Sequence, residues 1–518
     1  MKAAFLALAG LLASVAYAAP PAAPVVTVGV NDTKQLQFDW PSVPQTGHYE
    51  LWFRAAPGAA WVKYAETPAQ RRIFRISVSV HLLDWRVASY RVAACNPSGC
   101  TNSDEVGVSD LALDAVGFLK PNYAGEGRWL GQSVALSADG LTAVSAFSQA
   151  VNGVYADNGV LYVYRKANPT AGWRFAARLK PSLLRSGSSG AYSKNNVSVN
   201  GDGTVVAYGR GGEGIGGGSA NGAVYLFRHD GTTWTQEKRL TGTGDEFDTF
   251  GAELDLDDSG NTLAVWRHGT ARFAPTYGVT EIYNRTSAGW LHAATIPLPA
   301  SSTYAPICNR LALSGDGQKL LRTCYTDSQP AVLVHEAPGW GETARIYTGD
   351  NAEIDTNYDG TLFATRRGYQ LADVYRLQQN VWVPDSGSPL DFNIDTDIVS
   401  PVNTSIAMSR DGKFIAAGDT DDQHGAPGVN YPPIAEDESG SFGSVYVWER
   451  KPSGWRLRRL MKPSVAAQGH SGYGHNVALD ANGKNLIVGE AWNSSGALGI
   501  NGDQSDTSAP NTGAVWSY

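Results

Sequence analysis

Oxygen-bearing side chains are the most suggestive chemistry in this chain. Asn501, Asp503 and Asp506 lie close together between glycines, and Ca²⁺ prefers six to eight oxygens from flexible loops. Calcium at these three residues is the one cofactor the sequence suggests. Asp355-Thr356-Asn357-Tyr358-Asp359-Gly360 matches the start of a calcium loop, and Asp255-Leu256-Asp257-Asp258-Ser259-Gly260 nearly does. The last ligand position of those loops falls on Arg366 and Trp266, where a bidentate Glu is needed. Both stretches therefore read as hairpin turns, which Asp/Asn-Gly favours. Asp419, Asp421 and Asp422, with Glu436, Asp437 and Glu438, make a second acidic loop, read as solvated. There is no GxSxG elbow, HExxH zinc motif or P-loop. His470 and His475 flank Gly472-Tyr473-Gly474 and could form an acid–base group with Glu490. A histidine beside a Gly-rich turn is more often a solvated loop residue, so no catalytic residue is assigned.

The four cysteines fall into two local pairs. Cys308 and Cys324 are centred on Ser314-Gly315-Asp316-Gly317, so an antiparallel hairpin would set them opposite one another. Cys95 and Cys100 flank Asn96-Pro97-Ser98-Gly99, a run of strong turn formers. Two disulfides are expected, since neither pair has the second CxxC-like partner of a metal site. Disulfides need an oxidising compartment, and the N-terminus supplies the route. Lys2, an apolar run to Leu12 and Ala16-Tyr17-Ala18 predict a signal peptide over 1–18. No later apolar run is long enough to span a bilayer, so no membrane insertion is expected. A secreted protein follows, whether extracellular, cell-surface or periplasmic. Its 41 Lys+Arg against 49 Asp+Glu give a net charge of −8, which argues against nucleic acid or anionic membrane as partner.

The elements that must position these residues are short strands. With 58 Gly and only 3 Met, the composition favours strands and turns over helices. One unit, apolar-x-apolar-polar-x-Asp/Asn/Ser-Gly, recurs from Val134 to Gly140, Val197 to Gly203, Leu254 to Gly260, Leu311 to Gly317, Ile354 to Gly360, Ile406 to Gly412 and Val477 to Gly483. Each copy is followed by a second strand and by a third that Gly often opens. A fourth begins at Trp173, Trp234, Trp290, Trp340, Trp382 or Trp455. Four antiparallel strands per repeat in seven repeats predict a seven-bladed β-propeller. The last repeat stops at Ala514-Val515-Trp516-Ser517-Tyr518 without its fourth strand. Residues near 113 to 120, which resemble the Leu-Lys-Pro ends of other fourth strands, would complete it and leave no open edge.

Residues 19–110 show period-two alternation around Trp40, Tyr49 to Arg54 and Tyr90 to Asn96. With Leu83 seven residues before Tyr90, this stretch resembles a fibronectin type III module, a β-sandwich that implies spacing or binding. Residues 113–518 resemble the FG-GAP repeat family, in the bacterial form and in integrin α heads. The resemblance rests on Phe250-Gly251, Tyr473-Gly474, the looser Leu130-Gly131 and the stretch Gly499 to Val515. It is degraded in the fourth and fifth repeats, and it implies adhesion through loops on one face. The expectation is a monomeric, non-catalytic binding protein that recognises a protein or glycan. The alternative is an extracellular polysaccharide-acting lyase or hydrolase with a central pocket.

Overall fold

The computed structural model describes residues 19–82, 84–109, 111–122, 129–147, 159–183, 196–214, 221–242, 248–268, 278–299, 307–327, 329–349, 353–367, 371–391, 405–420, 422, 428–430, 443–463 and 471–518. The expected signal peptide, Leu83, Asp421, Glu436, Asp437, Glu438 and His470 lie outside them. The fold is all-β; among the described residues the helices are three short 3-10 turns. Two compact units divide the chain. One holds residues up to Asn31, Gln35–Val78 and Leu83–Asp114; the other holds Asp32–Lys34, Ser79–Leu82 and Ala115–Tyr518.

In the first unit, Thr27–Asp32, Gln35–Asp39 and Ile73–Ser77 form one sheet. Val62–Pro68, His48–Arg54, Ser89–Asn96 and Gly99–Asn102 form another, with Val106–Gly107 attached to it. Alternating residues of both sheets are buried, and their aromatic rings meet. Phe38 lies 5.1 Å from Tyr90, and Trp40 lies 5.0 Å from Tyr49 between ring centroids. Cys95 and Cys100 face each other in the ladder and are joined.

In the second unit, the described residues form seven antiparallel sheets, each opened by one copy of the repeat. Their first strands are Val134–Leu136, Val197–Val199, Glu253–Leu256, Ile307–Leu313, Ile354–Thr356, Ile406–Met408 and Tyr473–Leu479. We number the sheets I to VII in that order. The seventh takes its fourth strand from Gly117–Leu119, which pairs with Ala514–Ser517 through Val515↔Leu119 and Trp516↔Phe118. The repeat folds as it does because its polar residue caps the turn. In sheet III, Asp257 Oδ1 accepts the N–H groups of Asn261 at 2.8 Å and Thr262 at 2.9 Å. The closing glycine takes φ between +62° and +70° in all seven copies, the left-handed region that glycine enters without a Cβ penalty.

The apolar positions of the repeat pack sheet on sheet. Val134 and Leu136 join a cluster with Ile487 and Val515 of sheet VII. Ala135, between them in sequence, joins one with Val197 and Val199 of sheet II. The fourth-strand tryptophans reach back to the preceding sheet: Trp173 donates to Ser517 Oγ at 2.7 Å, and Trp455 donates to Asp385 Oδ2 at 2.9 Å. Three joints use the aromatic-Gly elements Phe250-Gly251 and Tyr473-Gly474 and the looser Leu130-Gly131. A Cβ on Gly209, Gly418 or Gly489 would lie 1.9, 1.8 and 1.8 Å from the carbonyl oxygens of Gly251, Gly474 and Gly131. Backbone meets backbone there, so nothing larger than hydrogen fits. At the III/IV joint the carbonyl facing Gly278 belongs to Cys308, which pairs with Cys324 in the ladder and is bonded to it.

Candidate functional site

The two ends of the first strands differ in kind. Each repeat ends in a tight turn, so the turns that join first to second strands gather at one end. Antiparallel order then sends the second-to-third and sheet-to-sheet connections to the opposite end. Those connections are long in sequence, as from Leu179 to Val197 or from Asp391 to Ile406.

At the turn end, backbone hydrogen bonds pass from sheet to sheet and return to their start. Asp139 N donates to Gly201 O, Gly201 N to Asp258 O, Asp258 N to Gly315 O and Asp316 N to Tyr358 O. Tyr358 N donates to Arg410 O, Asp411 N to Ala481 O and Ala481 N to Ala138 O. Arg410 of sheet VI also reaches Asp258 of sheet III, Nε to Oδ1, at 3.1 Å. It therefore spans residues that lie three sheets apart in the cycle.

Along the first strands lies a cavity of about 140 Å³ lined by residues of all seven sheets. Its ionisable lining residues are Asp255, Asp258, Asp355 and Arg410. Asp255 accepts Ser198 Oγ at 2.9 Å and Leu313 N at 2.9 Å. Asp355 accepts Met408 N at 2.8 Å. Each carboxylate thus caps a backbone N–H on the first strand of the next sheet. Burial pushes both carboxyls up, Asp355 to about 6, against the opposing pull of Arg410. Two residues earlier on the chain, Glu253 and Glu353 meet Arg310: Nη1 lies 2.5 Å from Glu253 Oε1, and Nε lies 3.2 Å from Glu353 Oε1. Glu253 is 3% exposed, and its Oε2 has no hydrogen-bond partner. Burial raises its carboxyl to about 8, with Arg310 opposing and Glu353 adding to the rise.

The residues expected to hold calcium are each engaged by neighbouring protein groups. Asn501 Oδ1 accepts Phe118 N at 3.0 Å, and Asn501 N donates to Phe118 O at 2.7 Å. The asparagine extends the edge of sheet VII rather than facing a pocket. Asp503 accepts the backbone N–H and hydroxyl of Ser505, and Asp506 accepts Ser508 N, each within its own turn. Among the described residues, the one trio of His, Cys, Asp or Glu with ligand atoms within 4.8 Å is His48, Glu50 and Cys95. Cys95 is spent in a disulfide.

Other candidates are structural in their contacts. Asp422 is buried against Lys462 Nζ at 2.6 Å and the Tyr446 hydroxyl at 2.5 Å. His475 Nδ1 sits 3.1 Å from Gln132 O. Glu490 accepts Trp516 Nε1 at 2.7 Å and Asn493 Nδ2 at 2.9 Å, and burial raises its carboxyl to about 7. Neither His475 nor Glu490 lines the axial cavity. Glu253, Arg310, Glu353 and Arg410 were not singled out from sequence. For Glu253, Arg310 and Glu353 the signal was the variation at one place of the repeat: Ser133, Asn196, Glu253, Arg310, Glu353, Ser405 and Asn476 all precede the first apolar position.

These features define an all-β protein on a propeller scaffold. No protein-family profile matches the chain, and no curated protein matches it. Among solved structures it is similar to the Cps50 (Swd1) β-propeller domain of Myceliophteria_thermophila at 10% identity and a TM-score of 0.47, over 78% of this chain and 99% of that one. It is similar to the periplasmic gluconolactonase PpgL of Pseudomonas aeruginosa at 15% identity and a TM-score of 0.42, over 77% and 99%. Sqt1 of Saccharomyces cerevisiae gives 10% and 0.41, over 72% and 83%. Likeness at this level carries no argument about activity, and the propeller description rests on the sheets and on the cycle of hydrogen bonds.

Proposed function

We propose that the chain is an exported, non-catalytic binding protein of the FG-GAP type. In this reading, a fibronectin type III-like sandwich precedes a closed seven-bladed propeller that recognises a protein or glycan at its long-connection end. The observation that carries the reading is the contrast between the two ends. One is tied off by a cycle of backbone bonds and by Arg410–Asp258, which leaves the other for recognition. Binding residues concentrate on such connections, held by a rigid scaffold. Export is supported by the 1–18 signal and the two disulfides; among the described residues no helix is long and apolar enough to cross a membrane.

The test is a screen of residues 19–518 against glycan and surface-protein arrays, with saccharide cleavage and ester hydrolysis assayed in parallel. Saturable binding that disappears when Ala491 to Thr512 is replaced by a short turn is the expected result. Turnover of a saccharide or ester would contradict it and favour the polysaccharide-acting alternative, which would then need groups other than His475 and Glu490. Calcium at Asn501, Asp503 and Asp506 belongs to the same reading. It would have to displace Ser505 from Asp503, and a Ca²⁺-dependent rise in Tm that Asp503→Ala removes would establish it.

A further inference from the structure

Three sheets carry a side chain at the same point after a joint glycine. Four residues beyond Gly209, Gly418 and Gly489 stand Glu213, Asp422 and Asn493. In sheets II and VI that residue is a carboxylate with a cation against it. Arg239 Nη2 lies 2.6 Å from Glu213 Oε1, and Lys462 Nζ lies 2.6 Å from Asp422 Oδ1. Sheet VII keeps the lysine, since Leu119-Lys120-Pro121 matches Met461-Lys462-Pro463, but sets the amide of Asn493 where the carboxylate would be. Lys120 is 1% exposed, and a buried ammonium is costly without a counter-charge. Charge pairing therefore does not account for a lysine opposite an amide.

The contacts of Lys120 suit an amine. Its Nζ meets the Thr512 hydroxyl at 2.8 Å, Gly513 O at 2.6 Å and Asn493 Oδ1 at 3.5 Å. A neutral amine has two N–H groups, which the two short contacts take, and its lone pair is left for the third neighbour. At 3.5 Å the Asn493 contact is too long for a good hydrogen bond, but it sets Nζ beside the amide carbon, near the range at which reacting atoms meet. Burial pushes the ammonium down to about 7, against the pull of Glu490 and Asp506, so free amine is present near neutral pH. The amide itself is held in one orientation. Asn493 Oδ1 accepts Ser495 N at 2.9 Å, and its Nδ2 donates to Glu490 Oε2 at 2.9 Å. A backbone N–H thus sits where negative charge would develop on Oδ1, and a carboxyl touches the nitrogen that would leave. Glu490 is fully buried and raised to about 7, which suits it to give and take a proton near neutrality.

We propose that Lys120 and Asn493 are joined by an isopeptide bond, formed once per chain with Glu490 as proton carrier, which fastens the Gly117–Leu119 strand covalently to sheet VII. The Nζ lone pair forms the new bond to Asn493 Cγ, while the carbonyl pair moves onto Oδ1 beside Ser495 N–H. Glu490 delivers its proton to Nδ2 and takes up the one that Nζ loses. The carbonyl then re-forms, the Cγ–Nδ2 bond breaks, and its electron pair leaves on nitrogen as ammonia. An amine and a primary amide become a secondary amide and ammonia, with no oxidant, reductant or co-reactant. The reaction turns over no outside substrate, so it does not depend on what the long-connection end recognises.

The test is intact mass and peptide mapping of folded residues 19–518, with both disulfides formed, in the natural sequence, Lys120→Arg and Glu490→Gln. The expected result is a natural chain lighter than its sequence by one ammonia, about 17 Da. Mapping should recover a branched peptide in which Lys120 is joined to Asn493. Lys120→Arg keeps a cation at the site and should show the full mass. Glu490→Gln should carry the bond in a fraction smaller by about tenfold or more. If a variant does not fold, the mass and the branched peptide of the natural chain decide alone. Full mass in the folded natural chain, ammonia lost at another residue, or equal bond formation in Glu490→Gln would overturn the proposal.

Discussion

The two ends of the seven first strands are built to opposite rules. At the turn end, one short motif is repeated with little variation: a polar cap, a left-handed glycine and a backbone bond to the next sheet. At the connection end, the equivalent positions hold Ser133, Asn196, Glu253, Arg310, Glu353, Ser405 and Asn476. The first end satisfies every sheet in the same way, which is what closing a ring requires. The second differs sheet by sheet.

Substitutions can break this contrast, and the largest effects should fall on closure. Gly489→Ala drives a Cβ to within 1.8 Å of Gly131 O at the joint that ends the ring. We expect a loss of about 4 kcal/mol or more, because backbone must move on both sides; chemical denaturation reads it directly. Next comes the III/IV joint, where Cys308 and Cys324 close a loop with a sequence separation of 16. Cys308→Ser/Cys324→Ser should cost about 3 kcal/mol by chain entropy, and a loss under about 1 kcal/mol would mean that packing alone holds that joint. Smaller still is the cap in one turn: Asp257→Ala frees the N–H groups of Asn261 and Thr262 and should cost about 1 kcal/mol.

The connection end should instead declare itself through pH. The Glu253 carboxyl is raised from 4.5 to about 8, so the folded state holds a proton that the unfolded chain releases. Its stabilising share is complete below about 4.5 and is lost as pH rises to about 8. Glu253→Gln should flatten the fall in Tm across that window. An unchanged slope would show that Glu253 does not titrate in the fold.

Much of the closure was legible in sequence because it depends on local chemistry. A left-handed glycine, a tryptophan at a strand start and two cysteines centred on one turn each announce themselves within a few residues. The strand at Gly117–Leu119 was legible for a related reason: the final repeat lacked a fourth strand, and Leu119-Lys120-Pro121 resembled the ends of others. The axial group was not legible. Arg410 and Asp258 are 152 residues apart, and only the curvature of the whole ring makes them neighbours. Asp255 and Asp355 were visible but read as turn residues; the turn is capped by Asp257 and Asn357, leaving the earlier pair to face the cavity. Asn501 shows the reverse. Its place among acidic residues suggested a ligand, while its backbone and amide belong to the edge of sheet VII.

The central claim is that the turn end is a closed cycle, so the most direct test is hydrogen exchange at the N–H groups of Asp139, Gly201, Asp258, Asp316, Tyr358, Asp411 and Ala481. The account predicts that all seven exchange slowly and together, at the rate of global unfolding. Fast exchange at Ala481 or Asp139, with the others protected, would show the ring to be open between the seventh and first repeats or between the first and second, and would contradict it.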